Sequence, residues 1–315
     1  MPRNNLSKYS VRIVLLRACS ETCFFCHEEG RVSHKSPYPL TPKVILDFVN
    51  RIKREFGIDL VHLTGGEPTL YPDIVTLVQD LHAQDFGVQI TSNALGPVSV
   101  YDQLISAGVD ALILSVHAVR PRDYAFMQGE RLPLKTYSNQ LDRKLATVLD
   151  LSPKVRTKVN TVIINELITG ATLDWALQNN LDIRLMRNLN AWDEGLEIAT
   201  NLLERRGFSF EATLGDLNQD SGGRYLLFSD GIRIVKIKDI AEKYLTTLCE
   251  NCPLRGTSKC REKFYGIRLE PPQNADEQAR VRLCLDRYDS DAVMPVADFW
   301  NSRHVSALRR LYTGV

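Results

Sequence analysis

The stretch RACSETCFFCHEEG, residues 17–30, follows directly on an apolar run at residues 11–16. It places three cysteines, Cys19, Cys23 and Cys26, in the spacing Cys-x₃-Cys-x₂-Cys on one short loop. An apolar run that leads into a ligand-bearing loop is typical of the first strand of a parallel α/β sheet, because functional loops of such sheets lie at the carboxyl ends of the strands. This loop therefore predicts where the chemistry of the chain is located.

The thiols of this loop limit which metal group it can hold. A [4Fe–4S] cluster is normally bound by four cysteines, so three cysteines leave one iron open to a small molecule. Zinc prefers four tetrahedral ligands, and His27 could be a fourth ligand beside the cysteines. The loop alone leaves both metals open.

Length and composition fit one large α/β domain with an appendage. A chain of 315 residues with 44% hydrophobic content can bury a full core. Its 39 basic and 38 acidic residues nearly cancel, which argues against nucleic acids and membrane surfaces as partners bound through bulk charge. No apolar stretch approaches the roughly 20 residues that span a bilayer, and the N-terminal residues lack the apolar core of a secretory signal. We therefore expect a cytoplasmic protein.

Short β-branched runs alternate with longer amphipathic stretches from residue 11 to about residue 190. This alternation predicts βα units around a parallel sheet. About six units are too few to close an eight-stranded barrel, so we predict an α/β fold with an open, partial (β/α)₆ barrel. The strand candidates are VRIVLLR (11–17), LVHLT (60–64), VQITS (88–92), ALILSV (111–116), VRTKVNTVI (155–163) and DIRLM (182–186).

Two helices are predicted between the first strands. In residues 41–57, Thr41 is the expected N-cap, Pro42 takes the first helical position and Gly57 ends the helix. Residues 71–87 repeat this scheme, with Gly87 at the expected end.

The pattern changes after about residue 190, so we predict a barrel domain over residues 1–190 and a C-terminal extension over residues 191–315. In the extension, Asp230-Gly231 between alternating apolar runs predicts a hairpin. Further predicted elements are a helix near 193–206, a second hairpin from KFYGIRLE (263–270) to RVRLCLD (280–286), and a helix near 296–311.

A second group of cysteines lies in this extension: Cys249, Cys252, Cys260 and Cys284. The odd total of seven cysteines and their grouping favour metal binding over a disulfide framework. These four could bind an auxiliary [4Fe–4S] cluster through three or four thiolates, and structural zinc is the alternative. Five arginines are expected around this group, where they could receive a phosphate or carboxylate or form a solvated face: Arg255, Arg261, Arg268, Arg280 and Arg282.

Polar residues follow the predicted strands at the same edge as the first cysteine loop. LTGGEP, residues 63–68, ends the second strand, and its glycines allow close approach of backbone to a ligand. Strand ends three and four supply Thr91, Ser92, Asn93, Ser115 and His117, residues that can also simply cap the next helix. Lys158 and Asn160 alternate onto one face of the fifth strand and are expected to line a pocket. His34, His62, His82 and His304 show no ligand spacing and are taken as structural.

The cysteine triplet together with LTGGEP resembles the signature of the radical S-adenosylmethionine (SAM) superfamily. The resemblance implies that Cys19, Cys23 and Cys26 hold a [4Fe–4S] cluster whose open iron chelates SAM. It also implies reductive cleavage of SAM to a 5′-deoxyadenosyl radical that abstracts hydrogen from substrate. By the same resemblance Gly65, Gly66 and Glu67 bind the SAM amino group, Thr91, Ser92, Asn93 and Ser115 bind its ribose and carboxylate, and Phe25 lies near the adenine.

The chain also looks like the GTP 3′,8-cyclases of molybdenum-cofactor biosynthesis and their relatives with twitch or SPASM extensions. Four segments carry this resemblance: the N-terminal cysteine loop, TGGEPTLYPDI, KVNTVI and the C-terminal cysteine module. Three features depart from that family. Cys260 is an extra candidate ligand, Pro253-Leu254-Arg255-Gly256 replaces a basic run, and the chain ends Tyr-Thr-Gly-Val in place of paired glycines. These departures leave GTP open as the substrate.

The sequence thus predicts a radical SAM enzyme that acts on a small molecule such as a nucleotide, nucleoside or natural-product precursor, with flavodoxin or ferredoxin as a reductant. No catalytic side chain is assigned. One alternative is a peptide maturase, which we rank lower because only ten residues precede the first predicted strand. Another is a non-catalytic iron–sulfur or zinc protein.

Overall fold

The computed structural model describes residues 9–26, 38–189, 192–214, 223–240, 243–261, 263–274 and 276–314. Its centre is a parallel sheet of six strands in sequence order, with β1 next to β2 and so on to β6. The strands are β1 Ser10–Val14, β2 Leu60–Thr64, β3 Gly87–Ser92, β4 Ala111–Ser115, β5 Thr157–Val162 and β6 Ile183–Met186. All six strand predictions are confirmed, and the sheet is an open, curled partial barrel.

In the described residues, seven α-helices connect and follow these strands. They are α1 Pro42–Phe56, α2 Ile74–Ala83, α3 Val98–Ser106, α4 Pro121–Met127, α5 Leu134–Leu151, α6 Glu166–Gln178 and α7 Trp192–Glu204. Their apolar faces cover the sheet, as in α1, where Ile45, Phe48, Val49 and Ile52 are buried. None of the helices in the described residues is long and apolar enough to cross a membrane.

The ends of α1 follow the sequence prediction, and the end of α2 does not. The Thr41 side chain accepts a hydrogen bond from the Val44 amide, and Gly57 closes α1 with a φ of 67°. In contrast, α2 ends at Ala83, and Asp85 takes the left-handed conformation instead of a glycine. Gly87 is the first residue of β3, where its amide donates to the Asp59 carbonyl, so its predicted role as helix end was wrong.

The remaining strands extend both edges of this sheet. One edge continues from β6 through β9 Ile234–Ile240 and β8 Gly223–Ser229 to β7 Ser209–Leu214, and β8 and β9 form the predicted hairpin around Asp230-Gly231. At the other edge β10 Arg268–Glu270 pairs in parallel with β1, and β11 Arg280–Arg282 and β12 Val293–Pro295 follow as antiparallel neighbours. Over the part of the chain that the structure describes, the sheet therefore has twelve strands.

The helices described in the C-terminal part are α8 Thr246–Cys249, α9 Val296–Asn301 and α10 Arg303–Thr313. The single helix predicted near 296–311 is two helices, because Ser302 takes extended backbone angles between them. In α10 the residues His304, Val305, Ala307 and Leu308 are buried. The aromatic rings of Phe48 and Trp300 join α1 to α9, which holds the end of the described chain against the barrel.

Candidate functional site

The first cysteine loop lies at the carboxyl end of β1, as predicted. Cys19, Cys23 and Cys26 line one cavity of about 240 Å³ at this end of the parallel strands. The loop is tied down at both sides, because the Phe24 amide donates to the Met127 carbonyl and the Thr22 hydroxyl donates to the Gln128 carbonyl. Hydrogen bonds to the C-terminal end of α4 thus fix how the thiols face the cavity.

The two glycines of LTGGEP pack against the start of this loop. The Gly66 amide donates to the Leu16 carbonyl and the Glu67 amide to the Ala18 carbonyl, each at 2.8 Å. A Cβ atom on Gly66 would lie 1.9 Å from the Ala18 carbonyl oxygen. Both glycines also line the cavity, and the backbone that approaches them most closely is that of residues 15–18, which lead into the cysteine loop.

Glu67 is 1% exposed, and its carboxylate is hydrogen-bonded to residues at the edge of the cavity. One oxygen accepts from the Thr69 amide and hydroxyl and from the Ser92 hydroxyl, and the other accepts from the Asn93 amide at 2.6 Å. Burial raises the pKa of this carboxyl, while these four hydrogen bonds lower it. Glu67 itself is not among the described residues that line the cavity.

The other rim residues predicted from the sequence meet at the same cavity. Phe25, Thr91, Ser92, Asn93 and Ser115 all line it. Asn93 donates through its side-chain amide to the Ser20 hydroxyl at 2.9 Å, which joins the third strand end to the cysteine loop. The topology therefore gathers the ends of four neighbouring strands around one space.

Two histidines take part in this wall. His62, predicted to be structural, lines the cavity and shares a 2.7 Å hydrogen bond with the Thr91 hydroxyl. His117 stacks edge-on against Phe25 and accepts through Nδ1 from the Val162 amide at 3.1 Å. Burial and the nearby Lys144 lower the pKa of His117 to about 3, so its ring is neutral near pH 7.

The thiols of the loop lie in surroundings that do not favour free thiolates. Burial is the main cause that raises the pKa of Cys19 to about 12, and it raises the pKa of Cys23 further. Metal-bound cysteine is deprotonated, so an iron ion would supply the positive charge that these buried sulfurs need. Three thiols facing one cavity are a donor set that fits a [4Fe–4S] cluster with one open iron.

No three His, Cys, Asp or Glu side chains in the described part of the chain lie close enough together for a single metal ion. The cubane differs from zinc in this respect, because each thiolate binds a different iron. His27, the alternative zinc ligand, lies outside the described residues, as does His34.

A second cavity of about 200 Å³ shares five lining residues with the first: Arg12, His62, Arg184, Lys238 and Tyr265. Lys158 and Arg268 also line it, and no acidic residue is among its described lining residues. Burial and the neighbouring Arg184 and Arg156 lower the pKa of Lys158 to about 8. The two cavities therefore share a wall that carries three basic residues, Arg12, Arg184 and Lys238.

Neutral groups orient the central cation of this wall. Arg184 donates to the Asn160 side-chain oxygen at 2.9 Å and to the Tyr225 hydroxyl at 3.2 Å. Lys238 lies 4.4 Å from the centre of the Tyr265 ring. Sequence reasoning found Lys158 and Asn160 but missed Arg12, Arg184 and Lys238. Their signal was a basic residue in each of β1, β6 and β9. The strand β1 is distant from the other two in the sheet order, and the three face one cavity because the sheet is curled.

The four C-terminal cysteines line a separate narrow cavity of about 10 Å³ together with Tyr244, Arg255, Lys263, Asp286 and Arg287. Burial raises the pKa of Cys249, Cys260 and Cys284, the last to about 11. The hairpin of β10 and β11 thus brings Cys284 to the other three thiols, as its position in the sequence suggested.

The five arginines expected around this module are divided between two places. Arg255 lies over the Tyr244 ring and Arg261 pairs with Asp286, both beside the cysteines. Arg268, Arg280 and Arg282 instead lie on β10 and β11, where Arg282 and Arg17 both pair with the buried Glu270. The three belong to the sheet edge because strand register places them opposite Glu270 and one another.

Residues 13–166 match the model of the Radical SAM superfamily. This match covers the last two residues of β1, the cysteine loop, LTGGEP and the strands β2 to β5. The chain carries a radical SAM domain over residues 13–166. It is therefore an enzyme of the radical SAM class, for which membership implies a [4Fe–4S] cluster and SAM.

Among characterised sequences, this radical SAM protein resembles the GTP 3′,8-cyclase branch. It is 25% identical over 246 residues to the "Probable GTP 3′,8-cyclase" of Pyrococcus abyssi, which covers 77% of this chain and 79% of that protein. It is 41% identical over 110 residues to the "Probable GTP 3′,8-cyclase" of Saccharolobus solfataricus, a match that spans 35% of either chain.

Solved structures show the same fold. The chain aligns over 98% of its length with Streptococcus suis SuiB bound to S-adenosylmethionine, at 15% identity, a TM-score of 0.55 and 65% coverage of that chain. It aligns over 98% of its length with native anSMEcpe with bound AdoMet, at 15% identity, a TM-score of 0.57 and 84% coverage of that chain. Both alignments support the partial barrel with added C-terminal strands as one arrangement.

Proposed function

We propose that this radical SAM enzyme abstracts hydrogen from a small molecule that carries an anionic group. The observation that carries the proposal is the shared wall between the cysteine-lined cavity and the basic cavity. A substrate held by Lys158 and Arg184 would extend toward Cys19, Cys23 and Cys26 without leaving the protein interior. A phosphate or carboxylate is the group that such cations prefer.

In this proposal the three thiolates of Cys19, Cys23 and Cys26 hold the [4Fe–4S] cluster. When bound, the cluster and SAM supply one-electron reductive cleavage of SAM to methionine and a 5′-deoxyadenosyl radical, with an electron from a donor such as flavodoxin or ferredoxin. The chain's own part is to bind and orient SAM. The backbone at Gly65 and Gly66 and the side chains of Thr91, Ser92, Asn93 and Ser115 face the space beside the thiols, and Phe25 offers a ring to the adenine.

Glu67 has a different part in this account from the direct contact that family resemblance implies. Its carboxylate accepts bonds from Thr69, Ser92 and Asn93, so it orients the groups that face SAM. His117, neutral and held by the Val162 amide, keeps Phe25 in place. The curled sheet and the buried wall exclude water from the reacting carbon.

The resemblance to GTP 3′,8-cyclases supports a nucleotide as the first substrate to try. The departures in the C-terminal module, Cys260 above all, support another anionic metabolite equally well. Anaerobic protein reconstituted with iron and sulfide should form 5′-deoxyadenosine from SAM and dithionite, and the true substrate should increase the rate. Absence of this product from protein with verified clusters would contradict the proposal and favour a non-catalytic metalloprotein.

We also propose that Cys249, Cys252, Cys260 and Cys284 bind an auxiliary [4Fe–4S] cluster, in an extension of the twitch or SPASM type. All four thiols line one narrow cavity, which supports a site with four ligands and no open iron. Reconstituted protein should then hold about eight irons per chain. Cys260→Ala should lower this number toward about four or leave a labile cluster, whereas one bound zinc per chain would overturn the auxiliary cluster.

A further inference from the structure

Gln128 lies at the end of α4, beside the middle cysteine of the first loop. It is 4% exposed, and its side-chain nitrogen donates to the Cys23 sulfur at 3.1 Å. Family resemblance gave this residue no role, and sequence reasoning passed over it. Its place next to a sulfur of the cysteine loop is what the topology adds, since α4 follows the fourth strand.

The orientation of this amide is fixed from three sides. Its oxygen accepts from the Thr22 backbone amide at 2.6 Å, so the other end, the nitrogen, must face the sulfur. The second hydrogen of the nitrogen points toward the Glu21 carboxylate at 3.4 Å. Glu21 in turn accepts from Lys144 at 2.7 Å and from the Tyr124 hydroxyl at 2.6 Å.

The charges behind the amide balance one another. Glu21 and Lys144 form an ion pair whose side chains are 6% and 2% exposed. The pair brings no net charge to the loop, and of its two members Glu21 is the one that contacts the Gln128 amide. The Gln128 N–H is therefore a dipole aimed at Cys23 in surroundings with little water to screen it.

We propose that Gln128 is a positioning residue whose hydrogen bond to Cys23 sets the reduction potential of the cluster on the first loop. The inference rests on the proposed function, in which Cys23 is a cluster ligand. A hydrogen bond to a ligand sulfur stabilises the reduced form, which carries one more electron, more than the oxidised form. The bond therefore raises the potential and makes transfer of one electron from the donor easier.

The test is a redox titration of the reconstituted protein, followed by electron paramagnetic resonance with dithionite as reductant and no turnover. The signal of the first cluster is recognised by its change when SAM is added. For Gln128→Met, we expect the ratio of reduced to oxidised cluster at a fixed potential to fall about tenfold, which corresponds to about 59 mV toward more negative potential. Thr22→Val is the matched control. It removes the hydroxyl that donates to the Gln128 backbone carbonyl and lies 3.4 Å from the Gln128 side-chain oxygen, but it keeps the Thr22 amide bond to that oxygen and the bond to sulfur.

An unchanged potential in Gln128→Met, or an equal shift in Thr22→Val, would overturn the inference while leaving the cluster in place. Wild-type protein that binds no cluster on the first loop would instead contradict the proposed function. A variant that loses the cluster does not end the test. In wild-type protein labelled with ¹⁵N at glutamine side chains, electron–nuclear double resonance of the reduced first cluster should show a ¹⁵N coupling, and its absence would also overturn the role of Gln128.

Discussion

Gly66 lies against Ala18 so closely that a Cβ at residue 66 would be 1.9 Å from the Ala18 carbonyl oxygen. The obstacle is backbone, which cannot move aside as a flexible side chain would. We expect Gly66→Ala to lower the free energy of unfolding by about 3 kcal/mol and to weaken iron binding on the first loop. Urea denaturation and iron content of reconstituted protein are the measurements.

Gly195 supplies the control for this substitution. It lies within α7, and a Cβ there would be at an ordinary 3.8 Å from Arg187. Gly195→Ala should therefore stabilise the protein slightly, by up to about 1 kcal/mol. Equal stability of the two variants would show that the two loops do not meet as described.

The Glu21–Lys144 pair predicts an asymmetry between single and double substitutions. Lys144→Met leaves the Glu21 carboxylate buried without its cation, and we expect a loss of about 3 kcal/mol in urea denaturation of the protein without metal. The double variant Glu21→Gln, Lys144→Met should recover much of this loss. Lys43→Met, which breaks an exposed pair with Asp47, should change stability by less than about 1 kcal/mol. Additive losses in the double variant would contradict the pairing.

His117 predicts a pH dependence of stability. Its folded pKa of about 3 is below the ordinary value of 6.5, so between these values the unfolded chain binds a proton that the folded chain does not. The contribution of His117 to the free energy of unfolding is therefore complete above pH 6.5 and is lost as the pH falls from 6.5 toward 3. We expect wild type to lose about 1 kcal/mol more than His117→Gln when the pH is lowered from 6.5 by one unit. Parallel curves for the two proteins would show that the ring is not held neutral.

Lys158 predicts a pH dependence of anion binding. Because its pKa is about 8, it loses its positive charge as the pH rises through that value. Calorimetric titration with pyrophosphate should show about tenfold weaker binding to Lys158→Met than to wild type at pH 7, and a difference that vanishes above pH 9. The exposed Lys43→Met is the control and should bind like wild type. A difference that persists above pH 9 would mean that Lys158 does not act through its charge.

Local signals in the sequence predicted the fold well where one segment decides the structure. Thr41, Pro42 and Gly57 bounded α1 because cap chemistry is local. The end of α2 was missed because Asp85 took a left-handed conformation that usually favours glycine, and Gly87 was left free to start β3. The predicted end of the barrel domain near residue 190 stays a prediction.

Part of the site could also be predicted from local signals in the sequence. Motifs placed the thiols, the glycines and the polar strand ends on one rim, since parallel strands share a direction. The basic wall could not be predicted in this way, because Arg12, Arg184 and Lys238 are distant in sequence and lie on β1, β6 and β9, which face one cavity only because the sheet is curled. Gln128 had no motif, and its contact with Cys23 follows from the path of α4 alone.

The central claim is that Cys19, Cys23 and Cys26 support cleavage of SAM. The most direct measurement is 5′-deoxyadenosine formed from SAM and dithionite by anaerobically reconstituted wild type, Cys26→Ala and the exposed-site control Lys43→Met. The account predicts product from wild type and the control, and a loss of more than about 100-fold for Cys26→Ala because the cluster loses one of its three ligands. Product from Cys26→Ala at the wild-type rate would contradict it.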